Sequence, residues 1–563
     1  MSKIVFAAVE GLREALRTAF LRAVDEGHFI ETAVPDFAIE IPAERSHGDY
    51  SSNLALVSAR SLRLPPRKIA EILKDSLSLE NTRFDRVEIA GPGFLNFFLN
   101  AAFYAEILQD IAELGDQYGR SDYGKGRKVM IEFVSANPTG PMHLGNARGG
   151  ALGDCLGAVM DAAGYDVWRE FYVNDAGNQI DKFGYSLEGR YLQLLLGEDR
   201  VEFQEDWYQG GDITERAQEY LDEHGDDLLT LSSDQRRAML VKFAMPRNIA
   251  RMKTDLEKYR ITYDEWFRES TLHNSGAVAD IIELLTKNGM TYEKDGAVWY
   301  KATEKGAEKD EVLIRQNGHS TYFAADIAYH VNKFKRGFSL LINIWGADHH
   351  GHVARLKGAL DAVGQKGDDL VVILMQLVRL VKDGEPVRMS KRTGKAIQLA
   401  DLLDEVPPDA ARFIFNMREA NSQMEFDLDQ AVAQDNQNPV YYVQYAPARI
   451  FSIFKALAAE GITPRPCTTD ELLLLSTDEE RELIRHLAAY TEELIQAAKD
   501  YEPSRIARYV ITLAALFHKF YNACRVKGEA ESLMQARLAL CGAVRLVIRN
   551  VLTMFNVTVP ESM

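Results

Sequence analysis

Cysteine is scarce in this 563-residue chain. Its four cysteines, Cys155, Cys467, Cys524 and Cys541, lie far apart and form no CxxC pair. That excludes a disulfide framework and a cysteine zinc site, and it fits a reducing compartment. No run of about 18 apolar residues occurs, so no membrane span is expected. The opening MSKIVFAAVEGLREALRTAF carries Glu10 and Glu14. It reads as an amphipathic helix rather than a signal peptide, and a cytoplasmic protein is expected. Excess positive charge is missing too: 65 Lys and Arg stand against 83 Asp and Glu, a net charge of −18. A general polyanion binder would be basic overall. The deficit is uneven, because residues 436–563 hold 14 basic and 14 acidic residues and the whole −18 rests on the remainder. A selective RNA enzyme needs only local positive patches, and an acidic remainder limits non-specific binding. No internal repeat or low-complexity tract appears.

What is present is an ordinary globular composition, 46% hydrophobic and 26% charged, at a length that predicts roughly two to four domains. The most informative stretch is residues 131–164. An apolar run from Val129 to Val134 predicts a buried strand, and SANPTG after it is loop chemistry. Asn146 can cap the following helix, whose apolar residues Ala151, Leu152, Cys155, Leu156, Val159, Met160 and Ala163 recur at three- and four-residue spacing until Gly164 stops it. Such a junction can hold a polyphosphate on free N–H groups and the helix dipole. His143 adds a donor, and Gly145 lets a base or ribose approach the backbone. The junction matches neither GxGxxG nor GxxxxGK[ST], so the common dinucleotide and P-loop readings fail. A tight turn with a structural histidine remains the alternative at this point.

A second stretch, GEPVRMSKRTGK at 384–395, is a basic, glycine-punctuated loop. Together HLGN (143–146) and RMSKR (388–392) resemble the HIGH and KMSKS signatures of class I aminoacyl-tRNA synthetases, in the right order. Further segments resemble the arginyl-tRNA synthetases in particular: HGDYSSNLA (47–55) with GPGFLNFFLN (91–100), EFVSANPTGPMHLGNARGGALGD (132–154), STYFAADIAYH (320–330) and YYVQYAPARI (441–450). The closing VPESM is similar as well.

The resemblance implies a class I nucleotide-binding, Rossmann-like parallel sheet core (α/β). An N-terminal α/β domain is appended to it, and a C-terminal all-α bundle holds the anticodon. It implies activation of L-arginine by ATP to arginyl-adenylate, then transfer to the 3′-terminal adenosine of tRNA(Arg), with tRNA bound before activation. ATP would arrive with magnesium, no zinc would be used, and the protein would be a monomer. The HIGH-like motif covers Ala136, Asn137, Pro138, Thr139, Gly140, Pro141, Met142, His143, Leu144, Gly145 and Asn146. His143, Asn146 and Lys391 are the expected catalytic residues. Pro141, Gly145, Asp348, His349, His352, Arg388, Met389 and Ser390 join them in binding ATP. Two departures stand out: Asn146 replaces the second histidine of HIGH, keeping a donor but no charge, and Arg388 replaces the first lysine of KMSKS. Glu132, Ser135, Asn137, Glu269, Tyr322 and Asp326 are expected around arginine. Tyr322 and Asp326 lie at i and i+4 on one helix face, and a hydroxyl beside a carboxylate suits a planar, always-charged guanidinium.

In chain order, residues 1–118 form the N-terminal domain. Asn100 and Phe103 match, by their spacing, family residues that contact a D-loop base, while Phe94 and Phe98 are assigned to the core; for Asn100 and Phe103 the core reading stays open. Residues 119–435 form the catalytic domain, entered through Gly124–Arg127, with a βαβ unit that predicts a doubly wound sheet and a mostly helical insertion at about 186–310. The Asp348–His352 loop invites a metal, but adjacent histidines point apart and no cysteine is near. Residues 436–563 are helical, with Tyr441, Gln444, Tyr445 and Arg449 expected at the anticodon; Tyr441 and Tyr445 could equally be core. Two rivals remain: a class I synthetase of another specificity, lacking the Tyr322/Asp326 pair with YVQYA, and a non-enzymatic tRNA binder, which would tend to have lost His143 or Lys391.

Overall fold

Strands covered on both faces read as continuous apolar runs, and the runs VMI, LLINI and LVVIL build the centre of the protein. A computed structural model of the chain describes residues 2–387 and 397–563. Its central sheet has five strands in the spatial order Leu370–Met375, Leu340–Gly346, Lys128–Glu132, Asp166–Val173 and Glu265–Arg268. All four pairings are parallel. The chain order reverses between Lys128–Glu132 and Leu340–Gly346, so the loops after these strands flank a topological switch point, where ligands bind in such sheets. Helix Leu144–Ala162 covers one face. It sits close because Gly153 has no side chain: a Cβ there would lie 2.2 Å from the Phe133 ring.

The N-terminal region is a four-stranded antiparallel sheet, ordered Ile39–Glu40, Tyr50–Ser52, Phe94–Leu99 and Phe84–Ala90, packed with helices such as Lys3–Asp25 and Ala101–Leu114. The C-terminal region is helical from Pro439 onward, ending in Glu531–Met554. One apolar core runs through these regions and one side of the central sheet. The insertion is mostly helical, as expected, and carries short strands besides. Helices Asn178–Leu196, Gly211–His224 and Ser233–Lys258 enclose a separate small core. The chain then returns as the edge strand Glu265–Arg268, and a three-stranded antiparallel sheet follows at Thr291–Lys294, Ala297–Tyr300 and Glu311–Ile314. Strands of four residues leave too little periodicity to separate from helix. The expected hairpin at Asp383–Gly384 joins Val378–Lys382 to Glu385–Val387, with φ of 54° and 75° at its two turn residues, the geometry of a primed turn. Among the described residues no helix is long and apolar enough to cross a membrane.

The C-terminal segment folds back onto the catalytic core. Arg412, fully buried, donates to the carbonyls of Phe555 (2.6 Å) and Tyr259 (3.0 Å) and pairs with Asp154 of helix Leu144–Ala162. Asn556 donates to the same Asp154 carboxylate at 2.9 Å.

Candidate active site

The loop leaving strand Lys128–Glu132 turns sharply. Val134 and Ser135 have φ of 68° and 40°, a left-handed conformation that is unusual for a β-branched residue and costs on the order of 1–3 kcal/mol where it occurs. Neighbouring groups hold this turn: Tyr263 donates its hydroxyl to the Phe133 carbonyl (3.1 Å), and the backbone N–H of Tyr172 donates to Ser135 Oγ (3.1 Å). Asn248 of the insertion donates to the Pro138 carbonyl at 2.9 Å.

His143, not Asn146, is the residue before the helix. Its Nδ1 accepts from the Gly145 N–H (3.2 Å), and Asn146 Oδ1 accepts from the His143 N–H (2.9 Å), a reciprocal capping box. With Nδ1 accepting, the ring proton lies on Nε2; partial desolvation lowers the imidazole from its usual range, although the side chain is open to the cavity, and His143 is a neutral donor. A Cβ on Gly145 would crowd the His143 ring at 3.1–3.2 Å. His143, Leu144 and Gly145 line a cavity of about 700 Å³, with Leu377, Val378, Arg379, Val387, Ile397 and Met424 on other sides. Leu377 is 85% exposed, an apolar side chain open to a ligand in the cavity. Arg148, buried, fixes this wall by donating to the carbonyls of Gln376 (2.8 Å), Glu419 (2.9 Å) and Ser422 (3.1 Å). Arg388, Met389, Ser390 and Lys391 lie outside the described residues. The flanking Val387 and Ile397 both line the cavity, and Leu144 N–H donates to the Ile397 carbonyl at 3.2 Å.

A second cluster lies where strand Asp166–Val173 and helix Tyr322–Lys335 approach. Tyr322 accepts from the Gln179 N–H at 3.1 Å. One turn on, Asp326 carries two imidazoles: His352 Nε2 donates to Oδ2 at 2.6 Å, and His330 Nδ1 stands 3.1 Å from Oδ1. Burial alone would raise Asp326, but these histidines outweigh it and hold the carboxyl far below the usual range. Glu269 is buried and shifted upward by desolvation, with His273 at 3.3 Å. Burial, then the nearby Glu269 and Asp326 carboxylates, push the Tyr172 phenol far up. Tyr322, Asp326 and Glu269 therefore cluster near Tyr172, which the sequence reading did not name. His352, expected at ATP, is joined to this cluster through its Nε2 on Asp326. Glu132 is buried, accepting from Lys333 (2.6 Å) and Ser135 Oγ (3.0 Å), so its charge is already matched inside the protein. Asn137 is exposed on the loop, and Asp348 and His349 are exposed beyond strand Leu340–Gly346. Among the described residues no group of three or more His, Cys, Asp or Glu stands close enough to hold a metal.

The outlying sites differ from expectation. Phe103 is 1% exposed, so no base can stack on it, and Asn100 caps helix Ala101–Leu114, its Oδ1 accepting from the Phe103 N–H at 3.1 Å. Phe94, assigned to the core, is instead 39% exposed, and Arg86 is stacked 3.6 Å from the neighbouring Phe98 ring. Gln444 is buried and pins the C-terminal segment, donating to Thr558 O at 2.8 Å and Asp409 at 3.0 Å. Tyr441, Tyr445 and Arg449 are partly exposed. Arg449 lies 4.0 Å from the Tyr521 ring and 5.6 Å from the Tyr445 ring.

Three family descriptions match the sequence: "Arginyl tRNA synthetase N terminal domain" over 10–99, "tRNA synthetases class I (R), catalytic domain" over 108–446, and "DALR anticodon binding domain" over 443–563. The chain is 52% identical to an arginine–tRNA ligase of Acetivibrio thermocellus and 54% identical to one of Caldanaerobacter subterraneus, each over 564 residues and 100% of both chains. The fold is similar to that of a Thermus thermophilus arginyl-tRNA synthetase, with a TM-score of 0.71 at 22% identity over 98% of this chain and 100% of the other.

Proposed function

The chain belongs to the arginyl-tRNA synthetases of class I, and from that premise we propose how its own residues divide the work of joining arginine to tRNA. The observation that supports the reading is that the cavity at the His143 helix cap and the carboxylate cluster around Asp326 both lie beside one parallel sheet.

The cavity takes ATP. The adenosine lies along Gly145 and the Leu377 wall, and the phosphates reach the helix N-terminus, where His143 Nε2–H donates to them. Asn146 Oδ1 is engaged in the cap, so its Nδ2 is the group left to donate. Lys391 supplies the cation for the leaving pyrophosphate, and magnesium comes in on the phosphates. The pocket takes arginine: Asp326 pairs the guanidinium, Tyr322 flanks it, and Glu269 adds acidity. Asn137, exposed on the loop before the His143 cap, holds the amino acid's polar end.

The arginine carboxylate oxygen attacks the α-phosphorus; the bond to the bridging oxygen breaks and pyrophosphate leaves. A hydroxyl of the tRNA's 3′-terminal adenosine then attacks the carbonyl carbon of the adenylate, and AMP leaves. Positioning and charge stabilisation supply the acceleration, with no covalent protein intermediate. The tRNA lies against the exposed Phe94 and the Tyr445–Arg449 surface, at opposite ends of the chain, and its binding precedes arginine activation.

ATP–pyrophosphate exchange tests the assignment. Exchange is expected to require tRNA, and Asp326→Ala is expected to raise the arginine KM at least about tenfold, as for a lost charged hydrogen bond, with little change in the ATP KM. Full-rate exchange without tRNA contradicts the first expectation; an unmoved arginine KM removes Asp326 from the pocket.

A further inference from the structure

Helix Tyr322–Lys335 continues the Tyr322/Asp326 face with two residues that the reaction does not use directly, His330 and Lys333. Both are fully buried. His330 Nδ1 lies 2.8 Å from the Asp326 backbone carbonyl and 3.1 Å from its Oδ1. Both oxygens only accept, so Nδ1 carries a proton. Its other nitrogen, Nε2, lies 2.8 Å from Asn343 Nδ2. Asn343 is 1% exposed, and its Oδ1 accepts from Lys333 Nζ at 3.3 Å. An ammonium has no acceptor, so the oxygen end of Asn343 must face Lys333 and the amide end must face His330. Nε2 then accepts and carries no proton. Lys333 is held in turn by Glu132 at 2.6 Å.

We propose that the buried chain Glu132–Lys333–Asn343–His330 is a specificity device of the arginine pocket: it locks His330 as a neutral donor to Asp326, so that Asp326 keeps its full negative charge for a guanidinium. This rests on Asp326 being the guanidinium's carboxylate. A doubly protonated His330 would place a cation against that carboxylate and cancel the attraction that selects arginine. The relay forbids it, since a proton on Nε2 would face the Asn343 N–H groups, and turning the amide would set those groups against Lys333. His330 is thus a positioning residue, and the relay also joins the two pocket ends, because Glu132 bonds Ser135 of the motif loop. His352 touches the outer carboxylate oxygen from the more open side and is left to adjust when the guanidinium enters.

The test is Asn343→Asp in the full-length chain, a near-isosteric change in which the new carboxylate accepts from both Lys333 and His330. In tRNA charging, the arginine KM is expected to rise about tenfold or more, the worth of a charged contact, while the ATP KM stays within about twofold. Nitrogen-15 spectra of histidine-labelled protein, with the His330 signal identified by its loss in His330→Gln, are expected to show Nδ1 protonated and Nε2 bare in the wild type, and both protonated in Asn343→Asp. An unchanged arginine KM in Asn343→Asp, while Asp326→Ala raises it, overturns the relay and leaves the pocket standing. An unchanged KM in both overturns the pocket as well. If the variant does not fold, the wild-type spectrum decides alone: a doubly protonated His330 at neutral pH overturns the proposal.

Discussion

At the scale of single residues, the phosphate end of the site depends on what Gly145 lacks. A methyl group there would meet the His143 ring at 3.1–3.2 Å and turn its Nε2 away from the cavity. Gly145→Ala is expected to lower the rate of pyrophosphate exchange by roughly 10–100-fold, in line with the cost of misplacing a positioned group, while the melting temperature moves little; wild-type exchange rates would show that the ring can yield. The residues legible from spacing were those whose chemistry repeats on a surface pattern, such as Tyr322 with Asp326. His330 and Lys333 were missed because a buried side chain has the same letter as a solvated one. The available signal was their spacing: positions 322, 326, 330 and 333 stay on one helix face. Phe103, for which the core reading stood open, and Gln444, expected at the anticodon, are buried, and for the converse reason the sequence did not separate the readings. An aromatic or amide that suits RNA also suits a core or a buried pin, and only burial separates the two.

At the scale of elements, helix Leu144–Ala162 ties the phosphate site to the rest of the chain, through its His143/Asn146 cap at one end and Asp154 further along. Removing a buried cation leaves its partner charge unmatched, which typically costs about 3–5 kcal/mol. Arg412→Met is therefore expected to lower the unfolding free energy by about that amount, read by chemical denaturation; a loss below about 1 kcal/mol contradicts a structural role for the Arg412–Asp154 pair. Asn146→Ala removes only the reciprocal cap and should cost about 1 kcal/mol, with a larger effect on exchange than on stability if its Nδ2 serves phosphate. The long parallel strands were readable as continuous apolar runs, and the Asp383–Gly384 hairpin from its turn residues. The four-residue strands of the insertion were not readable as strands; the segment from Trp266 to Ser270 suggested a return to the site, but not that Glu265–Arg268 would be an edge strand, since a short edge strand carries a mixed pattern and owes its place to its neighbour.

At the scale of the whole molecule, the C-terminal segment is latched to the catalytic core by Arg412, Asn556 and the group around Asp409. Burial would raise Asp409, but hydrogen bonds from Thr558 and Arg260 outweigh it and hold the carboxyl below its usual range. A carboxylate lowered in the folded state stabilises above its unfolded value of about 3.9 and loses that contribution as pH falls through the folded value. Asp409→Asn is expected to be less stable than wild type at neutral pH and to lose less stability on acidification below about pH 4. Parallel loss in both proteins would remove Asp409 from the latch. The three-part architecture was legible because each part carries its own sequence segment, whereas the latch was not, since it joins residues more than a hundred positions apart through backbone carbonyls that no side-chain pattern encodes.

The most direct test of the account is charging of tRNA by the purified chain with radiolabelled arginine, beside lysine, glutamine and cysteine, for the wild type and for Asp326→Ala. Charging with arginine alone, lost in the variant at low arginine and regained at high arginine, is the predicted result. Charging with another amino acid, or arginine charging that Asp326→Ala leaves untouched, would contradict the pocket on which the account rests.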